Sequence, residues 1–88
     1  MSATVTPDAE LAARGLLCPL PVLKARKQLM AMAPGEVLRL ICDDPAALVD
    51  IPHFCAEQGH PLIDQSEIAH PAHAWLIRRR DGDRPARP

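Results

Sequence analysis

The chain has 88 residues, 48% of them hydrophobic and 24% charged, and its 10 Lys and Arg nearly balance its 11 Asp and Glu. That length holds one small domain, and the small net charge excludes a global field that would steer the protein to nucleic acid or to an anionic membrane surface. One Phe, one Trp and no Tyr leave the core to aliphatic side chains and argue against a base-stacking surface.

Residues 1–9 are expected to form a flexible polar flank, 10–80 the domain, and 81–88 a disordered tail rich in Pro and Arg. The first residues lack the basic start and apolar core of a secretory signal, and no run approaches the roughly 20 apolar residues of a membrane span. A cytoplasmic setting without a membrane partner is therefore expected. In such a reducing compartment three cysteines, an odd number, are expected to be free thiols rather than a disulfide framework.

Residues 11–13 make a short strand candidate that Gly15 ends. A helix then follows Cys18. Val22, Ala25, Leu29, Met32 and Ala33 share its apolar face, Leu23 and Met30 widen that face, and Lys24, Lys27 and Gln28 point the other way. Pro34-Gly35 is its predicted stop. The segment "EVLRLIC", 36–42, is a nearly unbroken apolar run and predicts a central strand.

Asp44 is a natural N-cap with Pro45 at the first helical position, but Pro52 sits inside the following apolar pattern. This predicts a short turn over 45–49, a break, and a main helix from an N-cap at Asp50 to Gln58, closed by Gly59, with Leu48, Ile51, Phe54 and Cys55 inward. Strands are expected over 62–65 and from Ala74, joined by a connection over 66–73. The order βαβαββ predicts an α+β two-layer sandwich, with two helices packed on one face of a four-stranded mixed sheet.

The segment "RGLLCPLPVLKARKQL", 14–29, carries the chemistry. Cys18 is expected at the helix N-cap, with Pro19 and Pro21 inside the first turn, where a missing backbone donor costs nothing. Leu20 is then the donor best placed to reach the Cys18 sulfur. The positive end of the helix favours a thiolate, the reactive form. Pro21 occupies the position at which a C-x-x-C oxidoreductase carries its resolving thiol, which argues against a dithiol cycle. The four histidines, His53, His60, His70 and His73, lie in the other half of the chain, so no base adjoins Cys18 in sequence. A thiolate with neither resolving partner nor base suits a carrier that takes a group from one protein and hands it to another. The same pattern also suits a small buried hydrophobe under a helical turn, and the local residues alone leave both readings open.

Together "GLLCPLPVLKARKQL", "PGEVLRLICDDPAALVDIPHFCAEQGHPL" and "WLIRR" resemble the TusA family, also called SirA-like, of small sulfur carriers. The CPxP motif after an RGL segment and before a DDP segment carries the resemblance. It implies a βαβαββ sandwich like the C-terminal domain of translation initiation factor three. It further implies that Cys18 accepts sulfane sulfur as a persulfide, with no other cofactor, supported by Arg14, Gly15, Pro19 and Pro21. Family members relay sulfur from a donor protein of the cysteine desulfurase or rhodanese type to an acceptor protein, toward tRNA 2-thiouridine, cofactor assembly or oxidative sulfur metabolism. Leu20 stands where the tRNA-thiolating members typically carry a glutamate, and the CPLP form also occurs among sulfur-oxidation carriers.

Other features have plainer explanations. Cys42 and Cys55 are expected to be buried, and a zinc site from Cys42, His53, Cys55 and His60 fails on spacing. Lys24, Arg26 and Lys27 form a basic edge, read either as a solvated face or as a docking edge for an acidic partner surface. Arg78, Arg79, Arg80, Arg84 and Arg87 are expected to belong to a basic, solubilising end, without direct nucleic-acid contact. The alternative to a sulfur carrier is a non-catalytic interaction or regulatory module on the same fold.

Overall fold

The computed structural model describes residues 6–17 and 19–81; Cys18 and the outer parts of both predicted flanks lie outside the described residues. The elements are β1 (Ala9–Ala12), α1 (Leu20–Met30), β2 (Val37–Cys42), α2 (Ala47–Gln58), β3 (Leu62–Ala69) and β4 (Ala72–Arg78). They form one four-stranded sheet in the order β1-β2-β4-β3, with β1 and β2 parallel and the other neighbours antiparallel. This is the expected mixed sheet. β1 starts inside the stretch read as a flank, and Asp8 already joins the sheet through its N–H to the Val37 carbonyl, 2.8 Å.

Strand alternation sets the layers. Leu38 and Leu40 of β2 pair with Ile77 and Trp75 of β4 and point to one face. All four are fully buried in one cluster with Ala25 and Leu29 of α1 and with Ile51, Phe54 and Cys55 of α2. Both helices therefore cover that face. The opposite face keeps Arg39 of β2, which forms an ion pair with Glu10 of β1 directly across the parallel ladder. Trp75 stays satisfied inside because its indole N–H donates to Gln65 Oε1 at 2.9 Å.

Several local expectations change. α1 stops at Met30, four residues before the predicted Pro34-Gly35, as the Ala31 and Met32 N–H groups bond three residues back to Gln28 and Leu29. Its buried stripe is narrower: Pro21, Ala25, Leu29 and Met32 are inside, whereas Leu23, Met30 and Ala33 are exposed. α2 runs unbroken through Pro52. The turn at Pro45 and Ala46 winds straight into it, and the proline removes a single backbone bond, the one the Leu48 carbonyl would accept. Ala47 takes the inward position predicted for Leu48. β3 and β4 are longer than expected and meet in a tight turn at His70-Pro71.

The predicted basic end is corrected most clearly. Arg79 and Arg80 are 2% and 8% exposed, not part of a solvated tail. Arg79 continues the ladder between β4 and β2 by one residue, its N–H bonding the Glu36 carbonyl at 2.7 Å. Arg80 donates its backbone N–H to His60 Nδ1 at 3.1 Å and a guanidinium N–H to the Gln58 carbonyl at 3.0 Å. His60, just past the Gly59 cap, is thus a buried acceptor that ties the end of α2 to the end of β4.

Burial, reinforced by the Arg80 and Arg79 charges, lowers the His60 pKa from 6.5 to about 4. Since the folded-state value lies below the unfolded one, this stabilisation is complete above about pH 6.5 and is lost as pH falls toward 4. Its ceiling is roughly 3 kcal/mol. Denaturant melts between these pH values should show a steeper loss of stability in the wild type than in His60→Gln, and parallel profiles would remove His60 from this role.

Candidate functional site

Everything around position 18 is set by how β1 hands the chain to α1. The parallel ladder continues one residue past β1, where the Ala13 N–H bonds the Ile41 carbonyl at 2.7 Å and Ala13 is fully buried. The chain then reverses at Gly15, which has φ +79° and open space where a side chain would start. The Leu16 N–H returns to the Ala13 carbonyl at 3.3 Å, and the Gly15 N–H donates to Asp43 Oδ1 at 3.0 Å.

The helix start differs from the expected one by one residue. Pro19 is the N-cap, not Cys18, and Pro21 is the second helical residue, with no side chain capping the end. The Leu20 N–H, expected to serve the Cys18 sulfur, is used by the Leu17 carbonyl at 2.9 Å. The residues bracketing positions 18 and 19 are therefore clamped to each other, and the Leu23 N–H closes the first helical bond to Pro19 O at 3.1 Å. Both prolines keep their predicted purpose of fixing the helix start without sacrificing a bond. Pro21 is buried while Pro19, Leu17 and Leu20 are exposed.

The structure places the two other thiols in the core. Cys42 and Cys55 are 1% and 2% exposed. Burial drives both pKa values upward, that of Cys55 to about 12; for Cys42 the neighbouring Asp43 and Asp44 charges add to the effect. Both are held as protonated thiols. Cys42 has a local job, since its Sγ accepts the Asp44 N–H at 3.4 Å.

Of the predicted basic edge, Lys24 and Lys27 come together, lining a recess of about 250 Å³ with Leu11, Gln28 and Ala31. Arg26 is not among the residues that line it. Arg14 is exposed beside Gly15. A second recess, about 270 Å³, runs from Pro19 and Val22 along Asp50, His53, Phe54 and Glu57 of α2. Its far wall carries the contact of His53 Nε2 with Glu57 Oε2 at 3.5 Å. Sequence reading missed this groove, although the spacing of Asp50, Phe54 and Glu57 places them on one helical face. Among the described residues no group of three His, Cys, Asp or Glu side chains is arranged to hold a metal ion.

Two outcomes are expected from this geometry. Gly15→Ala should cost about 1–2 kcal/mol in chemical denaturation, because the added Cβ meets no neighbour but strains the positive φ; an unchanged midpoint would contradict that turn. Brief iodoacetamide treatment at neutral pH should leave Cys42 and Cys55 unmodified in the folded protein and alkylate both once it is denatured, as peptide mass spectrometry would read.

The comparisons with known proteins agree with this architecture. A SirA-like protein from Desulfitobacterium hafniense superposes with a TM-score of 0.73, covering 83% of this chain and 99% of its own, at 20% sequence identity. That likeness establishes the fold. Residues 9–79, from the first residue of β1 to the first beyond β4, match the sulfurtransferase TusA family. With most of its length accounted for by that match, the chain belongs to the TusA family of sulfurtransferases.

Proposed function

We propose that this protein is a sulfur carrier that works through a persulfide on Cys18. The observation that carries the reading is an elimination among thiols. A sulfurtransferase of this kind needs an ionisable sulfur that a partner reaches, and two of the chain's three cysteines are sealed in the core with raised pKa values. Cys18 is the remaining one. Its flanks support the role: Pro19 and Pro21 stiffen the start of an 11-residue helix whose positive end favours an anionic sulfur.

The transfer is a thiolate attack. The Cys18 thiolate attacks the terminal sulfur of a donor protein's persulfide; the donor's S–S bond breaks, a new S–S bond forms on Cys18, and the donor cysteine leaves as a thiolate. The second transfer repeats this with an acceptor thiolate attacking the Cys18 persulfide. No oxidant is consumed, since the sulfane sulfur keeps its oxidation level. Pro21 stands where a resolving thiol would compete, so the carried sulfur leaves only to a partner.

The donor is of the cysteine desulfurase or rhodanese type and the acceptor is a second protein. The CPLP form of the motif stands against tRNA 2-thiouridine synthesis and leaves oxidative sulfur metabolism and cofactor assembly as the pathways served. Exposed Leu17, Leu20 and Leu23 surround the helix start as apolar contact surface, with Lys24 and Lys27 beside them.

Incubation with a cysteine desulfurase and cysteine should add one sulfur atom to the intact mass. Cys18→Ser should reduce that gain to background while leaving the melting temperature essentially unchanged. Retention of the adduct by the Ser variant would sink the assignment, and a wild-type chain that never gains sulfur from any donor persulfide would favour a non-catalytic module.

A further inference from the structure

We infer that Asp43 is a positioning residue for sulfur transfer, acting through its hydrogen bond to the Gly15 backbone; the inference rests on the assignment of Cys18 above. Asp43 follows directly on β2, and its neighbours hold it still from both sides. On one side Cys42 is fixed in the core and accepts the Asp44 N–H with its sulfur. On the other, Asp44, expected as the N-cap of α2, instead opens the turn that leads to the N-cap Ala46: its Oδ1 accepts the Ala46 N–H at 3.1 Å and its carbonyl accepts the Ala47 N–H at 2.9 Å. From this rigid platform the Asp43 carboxylate reaches 28 residues back to the Gly15 N–H.

Gly15 is the pivot of the loop that delivers Cys18. Between buried Ala13 and the helix start at Pro19, the loop has two self-contained bonds, Leu16 to Ala13 and Leu20 to Leu17. Neither reaches β2, and Leu16 adds only a partly buried apolar contact with the core. Among the described hydrogen bonds the Asp43 contact alone links 14–17 to the end of β2, while the Leu17 carbonyl bonds to Leu20 at the start of α1. Without it no polar tie fixes the Gly15 dihedrals, where glycine resists rotation least, and only the non-directional Leu16 packing holds the turn to the sheet. A thiol delivered by a hinging loop meets its donor persulfide in the wrong geometry most of the time, and an ångström of misplacement costs roughly 100-fold in rate.

The two aspartates of the DDP segment thus divide the work. Asp44 organises the turn that leads into α2, whereas Asp43 holds the segment that precedes α1. What matters at Asp43 is the acceptor oxygen, so asparagine, which keeps Oδ1, should substitute where alanine does not.

The test compares sulfur loading of the full chain, wild type, Asp43→Ala and Asp43→Asn, from a desulfurase persulfide under single-turnover conditions, with melting curves for each. Expected is a loss of roughly 10- to 100-fold in transfer rate for the Ala variant, recovered to within about threefold of wild type by Asn. The Ala variant should still melt cooperatively. Equal rates for wild type and Ala, or an equal loss for Ala and Asn, would overturn the inference. Amide hydrogen exchange on the wild type provides a second readout should Ala fail to fold: the Gly15 N–H should be protected, and exchange at the rate of an unstructured amide would also refute it. A wild type that loads no sulfur on Cys18 would instead refute the carrier assignment, which separates the two failures.

Discussion

The parallel pairing of β1 with β2 is the constraint on which the rest of this molecule depends. A parallel pair demands a crossover, and here α1 supplies it, leaving β1 and returning to β2 on its own side of the sheet. The C-terminal ends of both strands then lie at one edge, with the segments leading to α1 and α2 rising from it side by side. Ala13, bonded to Ile41 beyond the last strand residue, and Gly15, bonded to Asp43, are consequences of that alignment. The site is built where the two strands end, on backbone the sheet has already fixed.

Such a small domain has little core with which to hold a reactive loop in place. It meets the demand with two polar ties of different kinds. At one end of the sheet, Asp43 and Asp44 link the strand ends to the two helix starts. At the other, His60 and the buried Arg79 and Arg80 close α2 and β3 onto the last residues of β4. The first tie fixes the Gly15 turn that precedes α1. The second seals the layer of helices against the sheet at the end remote from it.

The three cysteines show how environment assigns chemistry to one residue type. Cys42 faces the helices from the end of β2, where apolar neighbours hold its thiol protonated, yet its sulfur serves as an acceptor that stiffens the turn. Cys55 is a plain core residue. Cys18 precedes in sequence a helix whose start is locked by proline, and its neighbours Leu17, Pro19 and Leu20 are exposed. The relay proposed above would need such exposed surroundings, because a partner's cysteine must approach the sulfur in line with the bond being broken.

Periodicity in the amino-acid order sufficed for the layers: Leu38 and Leu40 alternate with Arg39, and Ala25 and Leu29 recur at helical spacing, so the βαβαββ order and the helix-covered face could be read directly. The CPLP segment likewise announced a locked helix start, because a proline ring restricts φ wherever it stands. What needed the folded chain were the relations between residues distant in sequence. Nothing local to Gly15 points to Asp43, and nothing in "RRR" marks Arg79 and Arg80 as buried while Arg78 stays exposed. Pro52 reads as a helix break until α2 is seen to run through it, losing one backbone bond while its inner face packs on the sheet. Local pattern carries the intrinsic preference of a segment, whereas a hydrogen bond across 28 residues exists only once the sheet has brought its two ends together.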